Sequence, residues 1–273
     1  MSSTTASSPS AEPRITIVGL GPGDDRYVTR HTLDLIDSLP VRFVRTTRHP
    51  SAHLVRSATS FDHIYERADT FDDVYRTIAD ELVAAASQHG HVLYAVPGSP
   101  LVLERTVRRL LADERVQCHV APAMSFLDLA YARLGIDPVE QGVRLIDGHE
   151  FATPAAGYGG AMLIAHTHAN WVLSDIKLAA ESATGDEPVV ILQRLGTDDE
   201  AIVHTTWSEL DRTVEADHLT SVWVPSLGAP VGTELVRFHQ LARTLREQCP
   251  WDQEQTHTSL MRYLLEETYE VVD

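Results

Sequence analysis

The chain of 273 residues contains only two cysteines, Cys118 and Cys249, and they are not spaced as a metal-binding pair. Two cysteines are also too few for a disulfide framework. No stretch approaches about 18 consecutive apolar residues, so the sequence predicts no membrane span. Residues 1–12 are rich in Ser and Thr and lack the basic and apolar regions of a signal peptide. We therefore predict a flexible tail and a cytoplasmic protein.

Basic residues are scarce in this chain. It has 22 Lys and Arg against 39 Asp and Glu, which gives a formal net charge of −17. A protein of that charge repels phosphate backbones and anionic lipid headgroups, so nucleic-acid and membrane partners are not expected. Hydrophobic residues make up 43% of the chain, enough for a sizeable core. The composition is that of a folded protein, and small molecules are its expected partners.

Short apolar runs alternate with helical patterns along most of the chain, which is typical of an α/β fold. The run 15–19 predicts a buried first strand, and the apolar spacing over 71–88 predicts a long helix. Two strand-like runs flank the turn 196–198 and predict a hairpin, so the second sheet is expected to be mixed. The predicted organisation is a parallel N-terminal lobe, a mixed C-terminal lobe and an all-α extension, over 13–136, 137–225 and 233–273.

Three loops rich in Gly, Pro and small residues follow predicted strands of the first lobe, at 21–24, 97–100 and 121–125. In a parallel sheet such loops open on the same edge, where ligands bind. The first loop is not a dinucleotide fingerprint, because Asp24 stands where the third glycine would be required. A carboxylate there would repel a pyrophosphate and suit a cation such as a sulfonium. Each loop alone is compatible with an ordinary tight turn, but the set favours one shared ligand site.

The ordered loops resemble those of the tetrapyrrole (corrin/porphyrin) methylase family, with Gly19-x-Gly21-Pro22-Gly23-Asp24, Pro97-Gly98-Ser99-Pro100 and Ala123-Met124-Ser125. The resemblance covers about 14–225. It implies two α/β lobes that bind S-adenosylmethionine between them and transfer its methyl group in line to a small-molecule acceptor. The residues that it places beside the cofactor are Gly21, Pro22, Gly23, Pro97, Gly98, Ser99, Leu101, Val102, Met124, Ser125 and His166.

The chain departs from the family pattern at two of these loops. Ser99 stands where the family commonly has Asp, and Ala123 stands where it commonly has Gly. The pair His166 and His168 invites a metal interpretation. On an extended segment, however, alternate side chains point to opposite faces, so no metal is predicted there.

The C-terminal segment carries an acidic stripe on a predicted helix, formed by Glu266, Glu270 and Asp273 with Glu267 beside it. Like charges at this spacing destabilise a helix, and a divalent cation would reverse that effect. The alternative is a solvated acidic face. No Lys or Arg offsets the stripe, and apolar residues interleave with it, which weakens that alternative.

The same segment resembles the start of the MazG nucleoside-triphosphate pyrophosphohydrolases. The resemblance rests on the E-E-x-x-E motif and on the run Cys249-Pro250-Trp251-Asp252-x-Glu254-Gln255-Thr256-His257. It implies an all-α dimer that cleaves nucleoside triphosphates to monophosphate and pyrophosphate, with Glu266, Glu267 and Glu270 as Mg²⁺ ligands. Its second metal-binding motif, Glu-x-x-Asp, would lie on a later helix. We therefore expect hydrolysis only in a longer form of the protein.

Three functions are compatible with the sequence. The first is a working methyltransferase of the tetrapyrrole-methylase type, fused to an incomplete MazG segment. In the second, the pyrophosphohydrolase is the biological activity and the methylase lobes are accessory. In the third, the lobes bind S-adenosylmethionine without catalysis. A homodimer is expected from the resemblance in each case.

Overall fold

The protein is built on two five-stranded sheets. The computed structural model describes residues 12–68, 70–180, 183–227 and 231–272, with side chains throughout except at 231–234, 236 and 237. The predicted tail up to residue 11, Asp273 of the acidic stripe and residues 228–230 lie outside the described residues. Of the helices in the described ranges, none combines the length and the apolar character needed to cross a membrane.

The N-terminal sheet is parallel throughout. Its strands are β1 (Arg14–Gly19), β2 (Arg42–Val44), β3 (Thr59–Ser60), β4 (His91–Val96) and β5 (Gln117–Val120). They are arranged in the order β3-β2-β4-β1-β5. The helices of this lobe are α1 (Arg30–Ser38), α2 (Asp62–Tyr65), α3 (Phe71–His89), α4 (Arg105–Leu111) and α5 (Phe126–Leu134). Because β1 lies between β4 and β5, the loop that follows it opens between the loops that follow those two strands.

Helix α3 shows how local sequence fixes the elements of this lobe. Thr70 caps its first turn by accepting a hydrogen bond from the backbone N–H of Asp73. Its apolar side chains recur at helical spacing and are buried against the sheet, among them Ile78 and Leu82. The helix ends at Gly90, whose φ of +77° is readily adopted only without a side chain.

The C-terminal sheet is mixed. Its strands are β6 (Arg144–Asp147), β7 (Met162–Ala165), β8 (Pro188–Gln193), β9 (Ala201–Thr206) and β10 (Thr220–Val224), and its helices are α6 (Ala152–Ala155) and α7 (Asn170–Ala179). The strand order is β6-β7-β10-β8-β9, and only β6 and β7 pair in parallel. The carboxyl ends of β6 and β7 therefore lie side by side.

Three helices follow the second sheet: α8 (Val231–Gln248), α9 (Pro250–Glu254) and α10 (His257–Val272). Many of their apolar side chains are exposed, including Phe238, Trp251 and Leu264. Trp251 and Tyr263 contact each other edge to face, with ring centroids 5.9 Å apart. Among the described side chains of these helices, none belongs to the buried cores of the two lobes.

The predicted fold class is confirmed: the N-terminal sheet is parallel, the C-terminal sheet is mixed and the chain ends in helices. Two predicted elements differ from the structure. The apolar residues after Pro100 predict a helix over 101–111, but the helix begins only at Arg105, because Leu103 adopts a left-handed φ of +59° that interrupts any helix. The turn residues around Asp137, Gly142 and Gly148 predict a connector without strands, but the segment 144–147 forms β6 because it pairs with β7.

Candidate functional site

The three loops of the N-terminal lobe meet at Gly19. A Cβ atom at this position would lie 2.2 Å from the carbonyl oxygen of Gly98, 2.6 Å from Cβ of Ala123 and 2.8 Å from Cδ of Pro100. The backbones of Gly21 and Gly98 also exchange hydrogen bonds, of 3.3 Å and 2.9 Å. The loops after β1, β4 and β5 are therefore packed as one unit, and a side chain at Gly19 would separate them.

The first of these loops is also fastened to the second lobe. The backbone N–H of Asp24 donates to the carbonyl oxygen of Gly196 at 3.0 Å, and a Cβ at Gly23 would lie 2.4 Å from the same oxygen. The hydroxyl of Ser51 donates to the carbonyl oxygen of Gly23 at 2.9 Å. The glycine at position 23 is thus required for a close approach between the lobes.

The Asp24 carboxylate has a different role from the one suggested by the sequence. It accepts hydrogen bonds from the backbone N–H and from Nε of Arg26, each at 3.0 Å, and these contacts lower its pKa. It caps a short 3₁₀ turn, Asp25–Tyr27, and does not line the cleft described below. The argument that this carboxylate faces a cationic ligand is therefore wrong, because Arg26 already neutralises it.

A cleft of about 1010 Å³ lies between the lobes, beside the glycine loops. The predicted site residues that line it are Pro22, Pro97, Gly98, Ser99, Val102, Ser125 and His166. The other predicted cofactor residues lie outside its lining. Gly21 packs against the backbone of Tyr27 and Gly23 against that of Gly196, while Leu101 and Met124 are 65% and 37% exposed.

Gly98 shows where the cleft is open to a ligand. Its φ is +63°, and a Cβ added there would meet no heavy atom within 4 Å. The backbone of the loop therefore faces empty space, unlike that of Gly19 or Gly23. Ser125, which lies across the same cleft, caps α5 by accepting a hydrogen bond from the backbone N–H of Leu127 at 3.2 Å. The helix cap fixes the third loop in place.

A buried ion pair lines another part of the cleft. Arg45, just after β2, pairs with Glu104, which is 4% exposed, and its Nε donates to the Tyr65 hydroxyl at 2.8 Å. Burial disfavours the charged guanidinium, but Glu104 and Tyr65 outweigh that cost and raise the pKa of Arg45. The nearby hydroxyls of Tyr94 and Thr106 are buried without a hydrogen-bond partner among the described residues.

Asp147 and His166 come together at the carboxyl ends of β6 and β7. Oδ2 of Asp147 lies 3.1 Å from Nδ1 of His166, and the Arg105 guanidinium lies 3.5 Å from the same oxygen. The backbone N–H of His149 donates to Oδ1 at 3.1 Å. Burial alone would raise the pKa of Asp147, but the contacts with His166, His149 and Arg105 lower it to about 2. Asp147 is therefore an ionised hydrogen-bond acceptor.

The backbone at His166 is not extended. Its φ is +59°, and both His166 and His168 line the cleft. The prediction that these side chains point to opposite faces is wrong, because the left-handed residue turns the chain after β7. His149 joins them, with its ring centroid 5.2 Å from that of His168. Burial lowers the pKa of His149.

No metal centre forms in the described part of the chain. Among these residues no group of three or more His, Cys, Asp or Glu side chains could hold a metal ion. Glu266, Glu267 and Glu270, the predicted Mg²⁺ ligands, lie on α10 and are exposed. The described residues therefore do not form the predicted Mg²⁺ site.

Several residues that line the cleft are not among the site residues predicted from the sequence: Arg45, His49, Glu104, Asp147 and Asp217. Arg45 and Asp147 stand at the ends of parallel strands, which is the position where ligand-binding side chains gather. That rule would have found Arg45, and it would have found Asp147 had β6 been recognised. Glu104 carries no local signal, because an irregular loop brings it to the cleft.

Comparison with known proteins agrees with this architecture. The model of the family "Tetrapyrrole (Corrin/Porphyrin) Methylases" matches residues 14–211. The chain belongs to this family. It is 37% identical over 276 residues to the uncharacterized protein YabN of Bacillus subtilis, covering 95% of this chain and 55% of that protein. The chain thus spans about half the length of this relative.

Shorter matches connect the chain to a second group of proteins. Over 42 residues it is 57% identical to a nucleoside triphosphate pyrophosphohydrolase of Mycolicibacterium smegmatis and 55% identical to one of Mycobacterium tuberculosis. These matches cover 15% of this chain and 13% of each relative. They concern a small part of either protein.

Solved structures share the two-lobed fold. A uroporphyrin-III C-methyltransferase from Thermus thermophilus, complexed with S-adenyl homocysteine, is 19% identical with a TM-score of 0.59, covering 82% of this chain and 99% of that one. A precorrin-6Y methylase from Archaeoglobus fulgidus is 23% identical with a TM-score of 0.56, covering 78% and 98%. At such identities the likeness shows the fold.

Proposed function

We propose that this protein is an S-adenosylmethionine-dependent methyltransferase whose cofactor binds in the cleft between the lobes. The observation that carries the proposal is the open backbone at Gly98, where the space that a side chain would occupy is available to a ligand. Two findings support it: the match to the methylase family, and the shared fold with a methyltransferase that was solved with S-adenyl homocysteine.

The charged groups of the cleft fit a sulfonium cofactor. Five carboxylates and three guanidiniums line the cleft, namely Asp62, Glu66, Glu104, Asp147 and Asp217 against Arg45, Arg48 and Arg105. Because Arg194 pairs with Asp217 from outside the lining, the excess is one carboxylate. An excess of negative charge favours a cation and disfavours a nucleotide phosphate. At Gly98 no side chain stands in the way of such a ligand.

S-adenosylmethionine, when bound, supplies an electrophilic methyl group. The contribution of the chain is to hold the two reactants in line and to exclude water, which accounts for most of the rate enhancement in a displacement of this kind. The Gly19–Gly98 packing fixes the loops, and the buried Arg45–Glu104 pair gives the cleft a rigid polar wall. The methyl acceptor is a small molecule held beside that wall.

Isothermal titration calorimetry with S-adenosylmethionine and S-adenosylhomocysteine tests the cofactor site. We expect dissociation constants on the order of micromolar for the natural chain. Gly98→Trp should abolish binding, because the indole would fill the open space. Gly98→Ala is the matched control: it adds backbone strain of about 1–2 kcal/mol at positive φ but leaves the cleft open, so it should retain binding. A natural chain that binds neither ligand would contradict the proposal.

The 42-residue matches to pyrophosphohydrolases favour a second candidate, in which nucleotide cleavage is the biological activity of the longer protein. For this chain we expect little or no Mg²⁺-dependent release of pyrophosphate, because its described carboxylates form no metal-holding group. The test is a pyrophosphate assay with nucleoside triphosphates, in which robust release that is lost in Glu266→Gln, Glu267→Gln and Glu270→Gln would assign the hydrolase to this chain.

Cofactor binding and methyl transfer are separable. Binding of S-adenosylmethionine without methylation in an acceptor screen would favour the non-catalytic binding module. The residue that supports this alternative is Ser99, which stands where the family commonly has Asp. The lobe boundaries, the homodimer and the cytoplasmic location stay predictions.

A further inference from the structure

The side chain of His166 is held by one of its two ring nitrogens. Nδ1 lies 3.1 Å from the Asp147 carboxylate, while Nε2 has no hydrogen-bond partner among the described residues. The ring lines the cleft and is 37% exposed, whereas Asp147 is 13% exposed. Asp147 therefore holds Nδ1, and Nε2 is available to a ligand.

The carboxylate decides which nitrogen carries the proton. An ionised Asp can only accept hydrogen bonds, so Nδ1 of His166 must be the donor. In the neutral ring this leaves Nε2 with its lone pair. The ionised state of Asp147 is secured by Arg105 and by the backbone N–H of His149, as well as by His166 itself. In this arrangement His166 can act as a base, and Asp147 is the group that orients it.

The ring of His166 lies among charged groups of both signs. The charged and titratable groups near it are Asp147, Glu104, Arg105, His149 and His168. The backbone at His166 is held at a positive φ, a conformation that is unfavourable in a residue other than glycine and persists where the surrounding structure imposes it. The strain turns the imidazole of His166 toward Asp147 and the cleft.

We propose that His166 is the general base of the methyl transfer and that Asp147 is its positioning residue, an inference that rests on the proposed function. In this step the acceptor nitrogen or oxygen forms a bond to the methyl carbon while the carbon–sulfur bond breaks and leaves its electron pair on sulfur. The proton of the acceptor moves to Nε2 of His166 and is later released to water. The acceptor class is therefore a molecule whose nucleophile carries an N–H or O–H proton.

The test is a ¹⁵N-detected NMR measurement of the histidine tautomers at pH 8, where histidines of ordinary pKa are neutral. The His166 signals are assigned by their loss in His166→Gln. We expect the Nδ1-protonated ring to exceed the other tautomer by about tenfold or more, because only that tautomer can donate to the ionised carboxylate 3.1 Å away. In Asp147→Asn the amide can donate to Nδ1, and the tautomer preference should weaken or reverse.

A titration with S-adenosylhomocysteine places the ring relative to the cofactor. The His166 signals should shift, while those of His204, which is exposed on β9, should not. His166→Gln should bind S-adenosylhomocysteine within about fivefold of the natural chain, since a base acts on the acceptor and contributes at most about 1 kcal/mol to cofactor affinity.

Each outcome of these measurements decides the proposal. A natural ring protonated at Nε2, or a ring that does not shift when the ligand is bound, would overturn the role of His166 alone. A loss of affinity of about a hundredfold or more in His166→Gln would assign the residue to cofactor binding instead. No calorimetric binding to the natural chain would overturn the proposed function, and this role with it.

Discussion

His49 is a buried histidine that stays neutral. It is 6% exposed, and its Nδ1 accepts a hydrogen bond from the backbone N–H of Ser51 at 3.2 Å. Burial lowers its pKa to about 4, with a hydrogen bond to the Gly21 backbone opposing the shift and His218 adding to it. The ring contacts the backbone of the first glycine loop and lines the cleft, so protonating it would disturb the cleft.

The depressed pKa of His49 makes stability depend on pH. The unfolded chain takes up this proton near pH 6.5 and the folded chain only near pH 4, so the free energy of unfolding falls as pH decreases between these values. The loss amounts to about 3 kcal/mol at most. Urea unfolding at pH 7 and at pH 4.5 should show a smaller pH dependence in His49→Gln than in the natural chain.

The control for this prediction is His204→Gln, which removes a histidine that is exposed on β9. Its stability should keep the pH dependence of the natural chain. If His49→Gln and His204→Gln behave alike, the acid sensitivity arises elsewhere.

At the scale of single elements, β6 is a strand that the sequence does not predict. Its four residues, Arg144–Asp147, lie in a segment rich in turn residues, and an isolated run of that length carries no reliable period. It is a strand only because β7, a buried strand, pairs with it in parallel. Since β6 carries Asp147, the missing strand also hid the partner of His166.

Other parts of the site could be predicted from the sequence. The loops after β1, β4 and β5 are marked by Gly and Pro in the sequence, and parallel pairing brings them together at Gly19. By contrast, Glu104 reaches the cleft through an irregular loop at Leu103, and Arg45 is neutralised by a residue 59 positions away. Contacts of that range depend on packing, which no local pattern contains.

The loop carrying Gly23 gives a prediction at the element scale. A Cβ there would lie 2.4 Å from the Gly196 carbonyl oxygen, so Gly23→Ala should push the first glycine loop away from the second lobe. We expect a loss of roughly 1–3 kcal/mol in stability, as in other overpacked sites, together with weaker binding of S-adenosylhomocysteine. Thermal unfolding and calorimetry measure the two effects.

Gly90→Ala separates that clash from backbone strain. Gly90 has a φ of +77° and nothing within 4 Å of a Cβ, and it lies at the end of α3. The variant should lose about 1 kcal/mol of stability without a change in ligand affinity. Weakened binding in Gly90→Ala would mean that lowered stability, and not loop displacement, explains the effect at Gly23.

At the scale of the whole molecule, the described side chains of the last three helices lie outside the buried cores of the two lobes. Large apolar groups on α8, α9 and α10 are exposed. A chain that ends at Leu227 should therefore unfold within about 2 °C of the natural chain. Its affinity for S-adenosylhomocysteine should be unchanged, and a chain that fails to fold would show that the helices support the lobes.

Two of the contacts that join the lobes differ in physical kind. One is the backbone contact of the Gly23 loop with Gly196, and the other is the half-exposed ion pairing of Arg105 with Asp147 and Glu150. Dissolved salt screens exposed charges but hardly affects a backbone hydrogen bond between neutral groups. We therefore expect rising ionic strength to weaken the contact of Arg105 with Glu150 more than the backbone contact at Gly23, so that exchange of ligand from the cleft should depend on dissolved salt.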